Sequence, residues 1–257
     1  MRILFLGDIT GKKGREVVRD LLKDLEDKYE ADFVIANGEN AAHGKGLTIK
    51  TYTQLIESGI NCITMGNHTF SKKEIIDYLE EMDRLVCPIN HVSGLGEGYR
   101  IFEVNGQRVC VVNVLGTFMQ EEYTTDPYEA MDELFKENEA KGIDYYIVDL
   151  HAESTAEKRV FAEYYKDKVN AVIGTHTHVQ TADEQIIGDM AYITDVGMCG
   201  PFDSIIGRDK DECIARMVRK EDTKYTISEN EAILCGVFME FDDNKKCTRI
   251  ERIQIRP

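Results

Sequence analysis

Six short runs, at residues 3–6, 33–36, 62–65, 109–114, 145–150 and 171–173, are nearly continuous in hydrophobicity. Runs of this kind fit strands covered on both faces, as in a sheet packed between other layers. Between them, residues 15–29, 49–58, 72–81, 128–141 and 155–166 carry apolar side chains at helical spacing. The start near Asp126 is the clearest, with Asp126 as cap, Pro127 at the first helical position and Glu129 completing a box-like pattern. Two hairpins are expected. Residues 99–104 and 108–114 flank Asn105-Gly106, and residues 234–241 and 247–255 flank Asp242-Asp243-Asn244. The alternation predicts an α/β fold in which mixed sheets are covered by helices on both sides. No Pro/Ser-rich linker and no internal repeat interrupts the pattern, so residues 1–257 are read as a single domain.

The polar residues just past each apolar run are more informative than the runs themselves. The first run ends in Gly7-Asp8, the second in Asn37-Gly38-Glu39-Asn40 and the third in Gly66-Asn67-His68-Thr69. Later runs end at His151 and in Gly174-Thr175-His176-Thr177-His178. Ligands of open α/β sheets collect beyond the carboxyl ends of strands. Each of these five ends carries side chains able to hold a hard or borderline metal. Singly, each has a plainer reading. Asp8 suits the cap of the next helix, Asn67-His68 suits a turn before a helix capped by Ser71, and His151 suits a satisfied polar residue. His176 and His178 resist that treatment, because alternate residues of an extended chain would point both imidazoles the same way. Five such ends together point to a site.

Composition narrows the partners. The 47 acidic against 31 basic side chains leave a net charge of −16, with no basic stripe for a long nucleic-acid polymer. No apolar run approaches the ~18 residues that would suggest a membrane span, and the opening MRILFLGD lacks the pattern of a secretory signal. The seven cysteines are scattered, odd in number and never spaced as CxxC, which argues for a reduced, cytoplasmic setting and against a thiolate metal site.

The motifs together resemble the calcineurin-like metallophosphoesterase superfamily, whose signature runs Asp-x-His, Gly-Asp, Gly-Asn-His-Glu, His and Gly-His-x-His. The likeness tightens with the bacterial YmdB-like subgroup. It rests on the GDI opening, DFVIANGENAA, ITMGNHTF, GTHTHVQTAD and the downstream DVGMCGPFDSIIG, and it covers nearly the whole chain. Thr10, Glu39, Asn40 and Thr69 depart from the broad signature and agree with the subgroup, whereas His43 and residues 115–120 look unusual even there.

The resemblance implies a four-layer α-β-β-α sandwich of mixed sheets holding two divalent or mixed-valence metal ions, Fe or Mn with Zn as a third choice. It assigns Asp8, Glu39, Asn40 and His178 to one metal and Glu39, Asn67, His151 and His176 to the other. It further implies hydrolysis of a small phosphodiester such as a 2′,3′- or 3′,5′-cyclic nucleotide. A metal-bound hydroxide would attack, and His68 would act as the general acid that protonates the leaving alkoxide. The segment 197–207 is read either as a loop over the base or ribose or as an ordinary turn-rich connection, with Cys199 a buried small residue, and a homo-oligomer is expected. Three rivals stand beside this reading. They are a phosphomonoesterase on the same scaffold, a non-catalytic regulatory or scaffold protein that keeps the metals, and an amidohydrolase barrel. The barrel would place its His-x-His after the first strand, where this chain has Asp8.

Overall fold

The computed structural model describes residues 1–120 and 122–257. The chain opens with β1 (Arg2–Leu6), β2 (Asp8–Ile9), α1 (Gly11–Tyr29), β3 (Phe33–Asn37), α2 (Ile49–Glu57), β4 (Cys62–Thr64) and β5 (Leu85–Val86). A hairpin of β6 (Tyr99–Val104) and β7 (Gln107–Leu115) leads into α3 (Pro127–Asn138), β8 (Tyr145–His151), α4 (Thr155–Tyr165) and β9 (Ala171–Thr175). The remainder is β10 (Gln185–Ile187), β11 (Met190–Ile193), β12 (Met198–Pro201), α5 (Lys210–Met217), β13 (Ala232–Phe241) and β14 (Cys247–Ile255).

These strands make two sheets. One is ordered β2-β12-β13-β1-β3-β4-β5, with β14 alongside β13, and the other β10-β11-β9-β8-β7-β6. The centre of each is parallel: β1, β3 and β4 in the first, β7, β8 and β9 in the second. Hairpins close the outer parts of both, so both sheets are mixed.

Side-chain alternation explains the layering. Ile3, Phe5, Phe33 and Ile35 point inward and meet Val109, Val111, Tyr145, Ile147, Ala171 and Ile173 of the second sheet. Their neighbours Leu4, Leu6, Val34 and Ala36 face outward onto Val18, Leu22 and Leu25 of α1 and Leu55 of α2. On the far side Val112, Val114, Val148 and Leu150 pack against Met131 and Leu134 of α3 and Phe161 and Tyr165 of α4. Strands apolar on both faces are therefore sandwiched, and the architecture is the expected α-β-β-α.

Several local expectations change. Helix α1 starts at Gly11, earlier than residue 15, because Gly11-Lys12-Lys13-Gly14 has no apolar periodicity to reveal it. Asp8 is not its cap: Asp8 is in β2, and Thr10 stands at the cap position. Residues 72–81 do not form an α-helix. The chain makes short 3-10 turns at Thr69–Ser71 and Lys73–Tyr78, entered from His68 and Lys72 without a side-chain cap, so Ser71 caps nothing there. Ile75 is the buried residue of the second turn, which leaves no apolar stripe to hold a longer helix. The segment 197–207 is only partly a loop, since Met198–Pro201 is buried strand between β2 and β13. Asp126 caps α3 as expected, accepting from Tyr128 N at 2.7 Å and Glu129 N at 3.2 Å. Asn105-Gly106 turns the β6–β7 hairpin with both φ angles positive (51° and 77°). The final hairpin keeps its place, with β13 ending at Phe241 and β14 resuming at Cys247. Helix α5 and the short strands β2, β5, β10, β11 and β12 carry too little periodicity to be read from sequence.

Candidate metal centre

The parallel strands of both sheets end on the same side of the sandwich, and their ends deliver every residue named above. Asp8 sits in β2, Glu39 and Asn40 follow β3, and Asn67 and His68 follow β4. From the other sheet come His151 at the end of β8, and His176 and His178 just beyond β9. Asp8, Glu39, Asn40 and His151 are buried, while Asn67, His68, His176 and His178 are half-buried.

The side chains meet in two groups. Around Asn40 Nδ2 lie Glu39 Oε1 and His178 Nε2, each at 3.1 Å, and Asp8 Oδ1 at 3.5 Å. Around His151 Nε2 lie His176 Nδ1 at 3.0 Å and Asn67 Oδ1 and Glu39 Oε1, each at 3.2 Å. Glu39 belongs to both. One ring nitrogen offers a single proton or a single lone pair, so His151 Nε2 cannot satisfy three partners at once. Carboxylate, carboxamide and imidazole donors aimed at a common point form a donor set for a transition metal. Gly66 supports the same conclusion. A Cβ there would stand 2.3 Å from Glu39 Oε2 and 2.4 Å from His151 Nε2, so the space beside these donors is kept clear of side chains. The donor set fits a metal ion, with ligand atoms of Glu39, His151 and His176 close enough together to hold one.

Burial sets the electrostatics. It pushes the Asp8 carboxyl up to about 6, against the pull of His178 and His151. Burial would also raise Glu39, but His151, together with His68, outweighs it and holds Glu39 well below the carboxylate range. The same pairing raises His151 against its own burial. Burial and the neighbouring His151 lower His176 to about 3. His68 is also lowered, chiefly by burial, and its backbone N–H donates to Glu39 Oε2 at 2.9 Å.

Supporting residues orient these donors, and sequence reasoning did not find them. His151 Nδ1 lies 2.9 Å from Thr175 Oγ1, which donates to Asp149 Oδ1 at 2.6 Å. The other oxygen of Asp149 accepts from Asn37 Nδ2 at 3.0 Å and from the Thr64 hydroxyl. Asn37 Oδ1 in turn accepts from Glu39 N at 3.1 Å. His176 Nε2 lies 3.0 Å from Glu153 Oε2, and His178 Nδ1 lies 2.9 Å from Ile206 O. The only clue to this layer was Asp149, a carboxylate inside an otherwise apolar strand.

Strand alternation, expected to align His176 and His178, does not do so. Strand β9 ends at Thr175, and both histidines have left-handed backbones, with φ 102° and 66°. Non-glycine residues held in such sparsely populated regions cost on the order of 1–3 kcal/mol each. The imidazoles converge because the turn is strained into shape.

A model of the family described as YmdB-like protein matches residues 4–253. The chain belongs to this family. It is 46% identical over 259 residues to the 2′,3′-cyclic-nucleotide 2′-phosphodiesterase of Bacillus subtilis (strain 168), covering 99% of this chain and 97% of that one. A solved structure described as a novel phosphatase from Mycoplasma pneumoniae superposes with a TM-score of 0.93 at 40% identity, covering 99% of this chain and 93% of the other. A hypothetical protein from Thermus thermophilus gives a TM-score of 0.91 at 36% identity, with 99% of each chain covered. Membership of the YmdB-like family and these neighbours identify the fold as that of the metallophosphoesterases, so the expected superfamily and its subgroup both hold.

Proposed function

We propose that this chain is a phosphoric ester hydrolase, and more narrowly a two-metal phosphodiesterase acting on 2′,3′- or 3′,5′-cyclic nucleotides in the cytoplasm. The observation that carries the reading is the pair of donor groups sharing Glu39 Oε1. The first, of Asp8, Glu39, Asn40 and His178, would hold one ion. The second, of Glu39, Asn67, His151 and His176, would hold the other. Oxygen and imidazole donors in this mixture suit Fe, Mn or Zn better than Ca, which takes more oxygens. Asn40 would turn its amide so that the carbonyl oxygen, not Nδ2, faces the ion.

Bound there, two divalent ions supply Lewis-acid charge for a phosphate and an acidified water. The rest falls to this chain's own residues. Asp8 and Glu39 offset part of the cationic charge, leaving a locally positive field in a protein of net charge −16. His68 stands beside Asn67 with its backbone N–H on Glu39 Oε2, and its ring would hand a proton to the leaving ribose oxygen. The identity of the Bacillus subtilis relative favours the cyclic-nucleotide substrate. Among the described residues no helix is long and apolar enough to cross a membrane. All seven cysteines are free and buried, which agrees with a reduced compartment.

The test is a substrate panel on Mn²⁺-loaded protein: 2′,3′-cyclic AMP, 3′,5′-cyclic AMP, bis-p-nitrophenyl phosphate and p-nitrophenyl phosphate. The two cyclic nucleotides and the model diester should turn over faster than the monoester. Preference for the monoester would make the protein a phosphatase, and no turnover at full metal content would sink the enzymatic reading. His68→Ala should keep its metal and lose ~10²–10⁴ in kcat, more severely with alkoxide than with nitrophenolate leaving groups. Metal loss in that variant would make His68 a ligand instead.

A further inference from the structure

We propose that the buried ion pair of Lys158 and Asp195 is a positioning device that sets metal affinity, and that it contributes little to the stability of the fold. The inference rests on the metal-centre reading above and adds two residues that touch neither metal nor substrate.

Lys158 lies in α4 and is 0% exposed, as is Asp195 just after β11. A fully buried lysine is rare unless it is paired. Its Nζ donates to Asp195 Oδ2 at 2.8 Å and to Thr175 O at 2.7 Å. Asp195 Oδ2 also accepts from Thr177 N at 3.0 Å, and Oδ1 accepts from Gly197 N at 2.9 Å. Gly197 O in turn accepts from Asp8 N at 3.0 Å. One ion pair therefore grips the residue before His176, the residue between His176 and His178, and Gly197, whose carbonyl holds the backbone of Asp8 in β2. Thr175 is also the residue whose hydroxyl holds His151.

The left-handed backbones of His176 and His178 need such over-determination, because an unrestrained chain would relax to ordinary φ and splay the imidazoles. The path of the lysine is cleared by Gly174. A Cβ at that position would lie 1.7 Å from Thr194 O and 3.1 Å from Lys158 Cδ. Position 158 lies on the face of α4 that also buries Phe161, Ala162 and Tyr165, where an apolar side chain would pack without an ion to desolvate. Replacing a buried ion pair by neutral groups is often neutral or stabilising for a fold. What neutral groups cannot supply is a charged, four-way fixing of the loop. Residues that orient metal ligands in this way typically change affinity by ~10–100-fold when altered.

The experiment compares wild-type protein with Lys158→Met/Asp195→Asn, both stripped of metal. Melting temperature is followed by circular dichroism and Mn²⁺ affinity by titration calorimetry. The asparagine keeps one carbonyl oxygen for a backbone N–H, so the stripped variant should melt within a few degrees of wild type or above it. Its Mn²⁺ affinity should fall ~10–100-fold. The single variant Lys158→Met, which leaves Asp195 charged and unpaired, should lose both stability and affinity. Unchanged affinity in the double variant overturns the inference. So does failure of the double variant to fold, because the pair would then serve stability. Wild-type protein that binds no Mn²⁺ would instead remove the metal centre itself, and the inference with it.

Discussion

At the scale of single residues, Asp8 connects the centre to pH. Its carboxyl is raised to about 6 by burial, above its ordinary 3.8, in the metal-free protein. A group raised on folding favours the folded state fully below its unfolded value and loses that contribution as pH rises through the folded one. Metal-free protein therefore carries an unfavourable buried carboxylate at neutral pH, which a bound cation offsets. The Mn²⁺-induced rise in melting temperature should be larger at about pH 7.5 than at about pH 5, where the ion must first displace the Asp8 proton. An equal or larger rise at the lower pH would contradict this account of Asp8. The same scale shows what sequence can carry. Asp8, Glu39, Asn67 and His151 were legible because strand ends put polar side chains where polar side chains need a reason. Asp149, Thr175, Lys158 and Asp195 were not. Asp149 is 112 residues from Asn37 and 26 from Thr175, Thr175 is 24 from His151, and Lys158 is 17 from Thr175 and 37 from Asp195. Asp149 stands out as a carboxylate in an apolar strand, but nothing local names its partners or marks a helix lysine as paired.

At the scale of elements, the chain spends its regular structure on support and its irregular structure on the site. Strand β4 stops at Thr64, and Asn67 and His68 lie in the turn that follows it, ahead of the 3-10 turn Thr69–Ser71. The helix expected over residues 72–81 winds instead as a 3-10 turn over Lys73–Tyr78 that buries Ile75, since helical spacing reports which residues lie on one side and not how tightly the backbone winds. Gly66 is the hinge of the arrangement. Gly66→Ala would drive a methyl group against the Glu39 carboxylate and the His151 imidazole. The variant should lose about 1–3 kcal/mol of stability in urea unfolding, as overpacked sites do. It should also purify with metal content near background by elemental analysis. A variant carrying a full complement of metal would show that the space beside Gly66 is not the cation site.

At the scale of the whole molecule, the apolar runs and the helical spacing between them foretold mixed sheets covered by helices, the family resemblance supplied the four-layer α-β-β-α plan, and neither revealed β10, β11 and β12. Short strands bury too few residues to show a period. Ile35 lies at 0% exposure between the sheets, two residues before Asn37. Ile35→Ala should cost about 2–5 kcal/mol in equilibrium unfolding. It should leave the substrate ranking unchanged, because it thins the core without touching a donor.

The shared carboxylate of Glu39 has a consequence for assembly. Asp8, Glu39, Asn40 and Asn67 arrive with the first sheet and His151, His176 and His178 with the second, so a cation held by either group would lack a complete cage until the two sheets have closed on each other. Loading would then be a late event in biogenesis, and an occupied centre would act as a rivet: the layers could not part without first surrendering what they hold. A chelator should accordingly hasten unfolding far more than it shifts the shape of the folded protein.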